Sequence, residues 1–499
     1  MSMSIPTRTS IADPDRWAVL ALLGVAQLMV VLDATIVNIA LPSAQRALHF
    51  STDNRQWIIT AYALAFGSLL LLGGKLGDLF GRKWTLIAGL TGFAVASAIG
   101  GFSQSFGMLV AARALQGAFG ALLAPSALGL LTVTFQGSPD RPKAFGIFSA
   151  IAAGGASVGL LLGGVLTQTI SWRWCLYVNL LIAVPTAIIA FRLLRNERQP
   201  HRAPIDLPGV AIGSGGLFAL VFGFSHAETS SWSNPITVAA LAISAVLLTG
   251  FVALERRVEH PLLPLHIVRD RARGGAYASI ALAGSAVFGV FLFLTYYMQQ
   301  NLGYSPLTTG LGFLPMTALI VVTATTVQTK VLHRTGARPL VAAGMTLGAI
   351  AMLLLTQLTP HGAYLTHVLP ALLLVGAGMG CIFAPAFSTA TLGVKSTDAG
   401  IASAMVNTSQ QVGGSVGTAL LSTIFASAAA TFISVHAKTA GLANAASIHG
   451  YTTAFEWAAA LFGVGLLVAL FVLPSDGVAR ARAAHAETRS ELNLSLETT

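Results

Sequence analysis

The sequence predicts an all-α integral membrane protein with fourteen transmembrane helices, and three observations carry that prediction. First, 55% of its 499 residues are apolar and only 9% are charged, whereas soluble domains carry roughly 25% charged residues. Second, apolar runs of the length that crosses the hydrocarbon layer, about 20 residues, recur along the whole chain, so one membrane domain fills it. Third, the basic residues fall in alternate connections between those runs.

Read between polar or Gly/Pro-rich breaks, the runs lie near 17–41, 55–73, 84–102, 106–126, 144–168 and 174–191. Two more follow at 207–225 and 235–254, then six at 274–298, 308–328, 338–357, 366–390, 402–427 and 453–473. The chain thus divides into an N-terminal tail (1–16), a six-helix half (17–191), an inserted helix pair with flanking loops (192–273), a second six-helix half (274–473) and a C-terminal tail (474–499). The polar stretch Met1 to Arg16 enters the first run without a small-residue cleavage site, so that run is read as a retained span. A 6+2+6 layout suggests two similar halves, with a substrate site between the repeats near the midplane. The segment Gly74 to Lys83 after the second run and His333 to Arg338 in the second half stand at corresponding places, the second copy degenerate.

The basic residues set the orientation. Lys75, Arg82, Lys83, Arg192, Arg195, Arg198, Arg256, Arg257 and Arg334 lie with most of the others in the even-numbered connections and the tails, whereas the opposite side holds Arg46, Arg55, Arg173 and Lys438. Both termini are therefore expected in the cytoplasm of a multi-pass cell-membrane protein. The net charge of +10 belongs to loops facing an anionic leaflet, not to a nucleic-acid-binding face, which would gather its charge in one stripe with interleaved aromatics. Cys175 and Cys381 sit in separate apolar runs without CxxC or Cys/His spacing, so neither a disulfide framework nor a zinc site is indicated. A membrane-embedded enzyme would show an HExxH pair or several clustered intramembrane acids, and the sequence has neither pattern.

Some polar residues and glycines need a reason. Asp33 lies well inside the first run, roughly 24 Å along a helix rising ~1.5 Å per residue. An ionisable group at that depth is a functional candidate. Desolvation disfavours its charged form, which suits proton exchange or the holding of a cation; a structural carboxylate hydrogen-bonded to neighbouring helices is the competing reading. Arg113, inside the fourth run, stays charged and must face a polar cavity or acceptors, with Gln116 on a similar face. Its role is either to modulate a nearby carboxylate or to make a structural contact, and the sequence does not identify its partner.

Lys75, Asp78, Arg82 and Lys83 crowd a short turn in which Gly77 and Gly81 permit a tight backbone. Opposite charges so placed can latch helix ends and bias one of two states. In the fifth run Gly155, Gly159 and Gly163 fall four apart on one face, with Gly154 and Gly164 beside them; small residues at this spacing let helices approach, either as generic packing or as a seam between the halves. Gly376, Gly378, Gly380 and Pro385, and then Gln410, Gln411, Gly413, Gly414 and Gly417, suit bendable helices lining a cavity, although the two amides can equally hydrogen-bond between helices. His226 and Glu228 are placed in an outer loop.

Together these segments resemble the major facilitator superfamily, specifically its fourteen-helix drug:proton antiporters. Leu32-Asp33-Ala34-Thr35-Ile36-Val37-Asn38-Ile39-Ala40-Leu41-Pro42 is similar to that family's first-helix signature, Gly74 to Lys83 to the superfamily's cytoplasmic gating motif, and Arg113-Ala114-Leu115-Gln116-Gly117 to its fourth-helix motif. Trp172-Arg173-Trp174 with Asn179, and Ala399 to Gly417, also resemble fourteen-helix exporters. The antiporter motif of the fifth helix usually reads Gly-x-x-x-Gly-Pro-x-x-Gly-Gly, and here Leu160 stands where the proline would be. The resemblance implies the major facilitator fold and alternating access. It implies proton coupling at Asp33 and Arg113, a gate at Gly74, Lys75, Gly77, Asp78, Gly81, Arg82 and Lys83, and close packing at Gly155, Gly159, Gly163 and Gly164. Asn38, Gln116, Gln410 and Gln411 are candidates for the substrate cavity. The substrates implied are small amphipathic or aromatic compounds such as drugs and dyes, exported by a monomer without cofactor or metal. Export of an endogenous metabolite, lipid or siderophore, and a non-transporting membrane sensor, are the alternatives.

Overall fold

In hydrocarbon each backbone N–H and C=O must find its partner within the chain, and an apolar segment does so by coiling into a helix. The computed structural model describes residues 15–50, 57–195, 206–360, 362–436 and 441–475. Its helices are α1 (Asp15–Leu48), α2 (Trp57–Phe80), α3 (Arg82–Gly101), α4 (Phe106–Thr134), α5 (Arg141–Thr169), α6 (Trp174–Leu193), α7 (Leu207–Thr229) and α8 (Pro235–Glu255). They continue as a short α9 (Leu265–Arg269), α10 (Arg271–Tyr296), α11 (Pro306–Thr326), a short α12 (Leu332–Thr335), α13 (Ala337–Leu355), α14 (Leu369–Ala390), α15 (Ala399–Val435) and α16 (Leu442–Phe471). Single π-helical turns follow α10, join α11 to α12 and precede α14.

Among the described residues fourteen helices are long and apolar enough to cross a membrane, in the order the sequence predicts. The largest difference lies at the ends: α15 runs on to Val435 and α16 begins at Leu442, where hydropathy places edges at 427 and 453. Small and polar residues there continue the helix beyond the strongly apolar stretch. The polar breaks reappear as caps: Ser105 Oγ accepts from Met108 N, Asp206 from Gly209 N, Asn234 from Ile236 N, and Ser305 from Thr308 N. Each satisfies a backbone donor that the first helical turn leaves over.

The elements that frame the site are α1, packed on α4, α5 and α6, and α2, packed on α4, α7 and α15. The first six membrane helices meet the last six where α2 and α4 pack on α15 and where α5 packs on α11 and α14; α7 and α8 pack on each other. On α8, Ile236, Val238, Ile243 and Val246 remain exposed, an apolar surface that fits lipid. His226 and Glu228 stand in the last turn of α7 rather than in a loop, and His226 Nδ1 lies 2.9 Å from Thr237 Oγ1 of α8; polar residues can end a transmembrane helix as well as link two. Residues 1–14 and 476–499 of the tails, Arg55, Arg198 and Lys438, and the side chains of Asn38 and Glu228, lie outside what the structure describes.

Candidate functional site

Arg113 finds its partner in Asp33. Arg113 Nη1 donates to Asp33 Oδ2 at 2.6 Å, joining α4 to α1 between two side chains that are almost wholly buried. Asp33 Oδ1 accepts from Asn179 Nδ2 of α6 at 2.7 Å and from Gln116 Nε2 at 3.1 Å. Gln116 also takes Arg113 Nη1 on its Oε1 at 2.7 Å and gives its amide to Ser97 Oγ of α3, again at 2.7 Å. Arg113 Nε reaches the Ile58 carbonyl at 3.3 Å, and its guanidinium lies 4.4 Å from the centre of the Tyr62 ring.

This is one network drawn from α1, α2, α3, α4 and α6. A buried charge is costly unless paired and hydrogen-bonded, and here both charges are. Gln116 and Arg113 share a helix face three residues apart. Gly117 lets α4 approach α2 there, since a Cβ on it would collide with the Tyr62 carbonyl. Gln116, expected at the substrate cavity, is fully buried inside this network. Asn179, Ser97 and Tyr62 were not assigned roles from sequence. Of these, only Asn179 carries a sequence signal, through the Trp172-Arg173-Trp174 stretch that resembles fourteen-helix exporters.

The second cluster surrounds the turn between α2 and α3. Only Gly81 leaves the helical path, with φ 94°, a left-handed value at which any larger residue is strained; Gly77 is an ordinary helical residue of α2. Asp78 and Arg82 form a buried ion pair. Asp78 also accepts from Gly400 N at 3.0 Å and Ile401 N at 3.2 Å. It therefore caps the start of α15 from another helix, in place of Asp398, whose side chain makes no cap. Gly74 and Gly400 make that approach possible, because a Cβ on Gly400 would stand 2.7 Å from Asp78 Oδ1 and one on Gly74 2.7 Å from the Gly400 carbonyl oxygen. The four charges do not form one latch: Lys75 Nζ turns to the Pro261 carbonyl at 3.0 Å, and Lys83 Nζ to the Phe191 carbonyl at 2.8 Å. On the same face Arg141 of α5 reaches Thr391 Oγ1 beside the end of α14 at 3.0 Å.

The α5 glycines face two ways. Cβ atoms on Gly155, Gly159 and Gly163 would press into Val31, into Leu32 and Thr35, and into Ile36, so this stripe seats α1 within the first group of helices. Gly154 and Gly164 instead look toward Thr317 and Leu307 of α11. With Leu160 in place, α5 is one unbroken helix from Arg141 to Thr169. Gln410 and Gln411 of α15 are half-buried, and Gln411 Cγ packs close over Gly67 of α2.

The Major Facilitator Superfamily family model matches residues 23–418. The chain belongs to the major facilitator superfamily. Within it, the chain stands among the antibiotic resistance and export transporters. It is 47% identical over 464 residues to the puromycin resistance protein of Streptomyces alboniger, covering 92% of this chain and 91% of that one. It is 38% identical over 402 residues to a cephamycin export protein of Amycolatopsis lactamdurans, covering 80% and 83%, and 35% identical over 416 residues to the tetracenomycin C resistance and export protein of Streptomyces glaucescens, covering 82% and 76%. The human organic anion transporter MFSD10 (TETRAN) shares the fold, with a TM-score of 0.62 at 16% identity over 91% of this chain and 99% of that one.

Proposed function

We propose that this major facilitator exports antibiotic-like, partly aromatic compounds from the cytoplasm in exchange for protons, with Asp33 as the carboxylate that gains and loses the proton. The observation that carries this reading is the composition of the network around Asp33. An amide offers both a donor and an acceptor, so Gln116 and Asn179 can serve an ionised or a protonated carboxyl group. Arg113 keeps acceptors in Gln116 Oε1 and the Ile58 carbonyl when Asp33 is neutral. Protonation then removes the α1–α4 ion pair without leaving the guanidinium bare, and the two groups of helices are free to rearrange about a central cavity.

The face that bears Lys75, Arg82 and Arg141 is taken as cytoplasmic, and Asp78 holds it closed by capping α15. The half-buried amides of Gln410 and Gln411 are candidate substrate contacts. The inserted pair α7–α8 is read as an addition flanking α2 and α15, outside the alternating core. Puromycin is the first substrate to try, since the 47% identical relative is a puromycin resistance protein.

The test is puromycin and ethidium flux in proteoliposomes of known orientation, driven by an imposed proton gradient. Flux that collapses with a protonophore and disappears in Asp33→Asn is expected. Gradient-driven flux unchanged by Asp33→Asn moves the proton site elsewhere, and flux indifferent to the gradient rejects antiport.

A further inference from the structure

A pair of acids lies at the basic face, where no sequence motif pointed. Asp206 precedes α7 and Glu255 ends α8, and both are more than nine-tenths buried. One oxygen of each is committed: Asp206 Oδ1 accepts from Gly209 N at 2.9 Å and Glu255 Oε2 from Leu263 N at 3.0 Å. The other oxygens, Asp206 Oδ2 and Glu255 Oε1, are buried without a partner. They converge over the bare Cα of Gly209, where a Cβ would collide with Asp206 Oδ2 and stand 2.8 Å from Glu255 Oε1.

Two acceptor oxygens face to face repel unless a proton lies between them, and like charges at that range do not both ionise. Among the described residues the facing cation is Lys75 of α2, whose amine is directed to the Pro261 carbonyl. Arg256, Arg257, Glu259 and His260 of the α8–α9 connection are exposed to solvent. The same connection therefore touches Glu255 through Leu263 and the gate segment through Pro261, while His266 of α9 lies 3.8 Å from Asp398 at the start of α15.

We propose that Asp206 and Glu255 share one proton, and that this pair is a second proton-binding site, apart from Asp33, which holds the α8–α9 connection against Lys75 of the gate segment. Removing the proton leaves two facing charges, parts α7 from Glu255 and loosens the connection on Leu263 and Pro261. The inference extends the antiport reading by giving the inserted helix pair a proton of its own, yet it is measurable without any transport.

Infrared difference spectra of the full-length protein in nanodiscs, neutral against alkaline, are compared with hydrogen exchange of peptides covering 256–264 at the same two pH values. Wild type and Asp33→Asn are expected to lose a carboxylic-acid C=O band and protection of the connection on alkalinisation. Made in the Asp33→Asn background, so that Asp33 contributes no band, Glu255→Gln donates its amide to Asp206 in place of the proton; it and Asp206→Asn should lack the band, and Glu255→Gln should keep the connection protected at both pH values. A band that survives in both variants, or that vanishes in Asp33→Asn, overturns the proposal, as does protection that depends on added magnesium rather than on pH. Because Asp33→Asn should lose flux and retain the band, failure of the antiport reading and failure of the shared proton are told apart.

Discussion

Asn179 Nδ2 lies 2.7 Å from Asp33 Oδ1, so the interior of α6 is hydrogen-bonded to the interior of α1 through a fully buried carboxylate. Replacing Asn179 with Leu keeps the volume and strands one donor's share of that charge. A hydrogen bond to a charged group contributes about 1.5–3 kcal/mol, and Asn179→Leu is expected to lower the thermal midpoint in detergent and to slow puromycin flux. An unchanged midpoint would mean that the remaining donors, Gln116 and Arg113, already satisfy Asp33.

Arg113 makes contacts in several directions at once: to Asp33, to Gln116, to the Ile58 carbonyl and to the Tyr62 ring. A lysine offers a point charge on a flexible stem and cannot reproduce that planar fork. Arg113→Lys is therefore expected to insert and fold but to transport at a small fraction of the wild-type rate. Arg113→Gln leaves Asp33 a buried charge without its ion partner, a loss of about 3–5 kcal/mol for pairs of this kind. The double variant with Asp33→Asn should recover most of that stability and none of the proton-driven flux. Thermal midpoints of the two single variants and the double variant check this; additive losses would show that the two groups are not coupled.

The fourteen spans, the depth of Asp33 and the isolation of Arg113 were legible because each is a violation or a repetition visible in one dimension: long apolar runs, and a charge where charge is expensive. That Arg113 belongs to Asp33 was not legible, since eighty positions separate them and helix packing alone sets the register of α1 against α4. Ser97 looks like an ordinary polar residue in an apolar run until the fold turns it inward, and the stretch that contains Asn179 does not show that its amide meets Asp33. For the same reason Gly77 was grouped with Gly81 in the turn: both read as flexible, but only Gly81 has a left-handed φ. Asp206 and Glu255 were hidden at helix ends, where acids are common and usually solvated.

Gly159 and Gly164 look equivalent in the fifth-helix pattern and differ in space. A Cβ on Gly159 would collide with Thr35 Oγ1 and stand 2.9 Å from the Leu32 carbonyl oxygen, whereas on Gly164 the nearest atom is Leu307 Cα at 3.9 Å. Gly159→Ala must push α1 away from α5 and disturb the helix that carries Asp33. Overpacking of this kind costs about 1–3 kcal/mol, and Gly159→Ala is expected to lower the midpoint by several degrees and to abolish flux, while Gly164→Ala stays near wild type in both. Equal tolerance of the two would show that α1 and α5 can separate freely at this level.

Asp78 satisfies two backbone donors at the start of α15, and a helix N-terminus favours an anion, so Asp78 both caps α15 and complements its dipole. Asp78→Asn weakens that attraction and removes the Asp78–Arg82 ion pair; Gly400→Ala instead puts a methyl group against Asp78 and the Gly74 carbonyl. Both variants should open the α2–α15 contact by different means. A cysteine placed at Ala404, which packs close to Gly74, reports this, because Cys175 and Cys381 are both buried and should label slowly. A membrane-impermeant maleimide applied to the basic face is expected to label Ala404→Cys slowly in the otherwise wild-type chain and at least several-fold faster with either second change. Slow labelling in both double variants would mean that contacts such as Arg141 to Thr391 hold this face closed without Asp78.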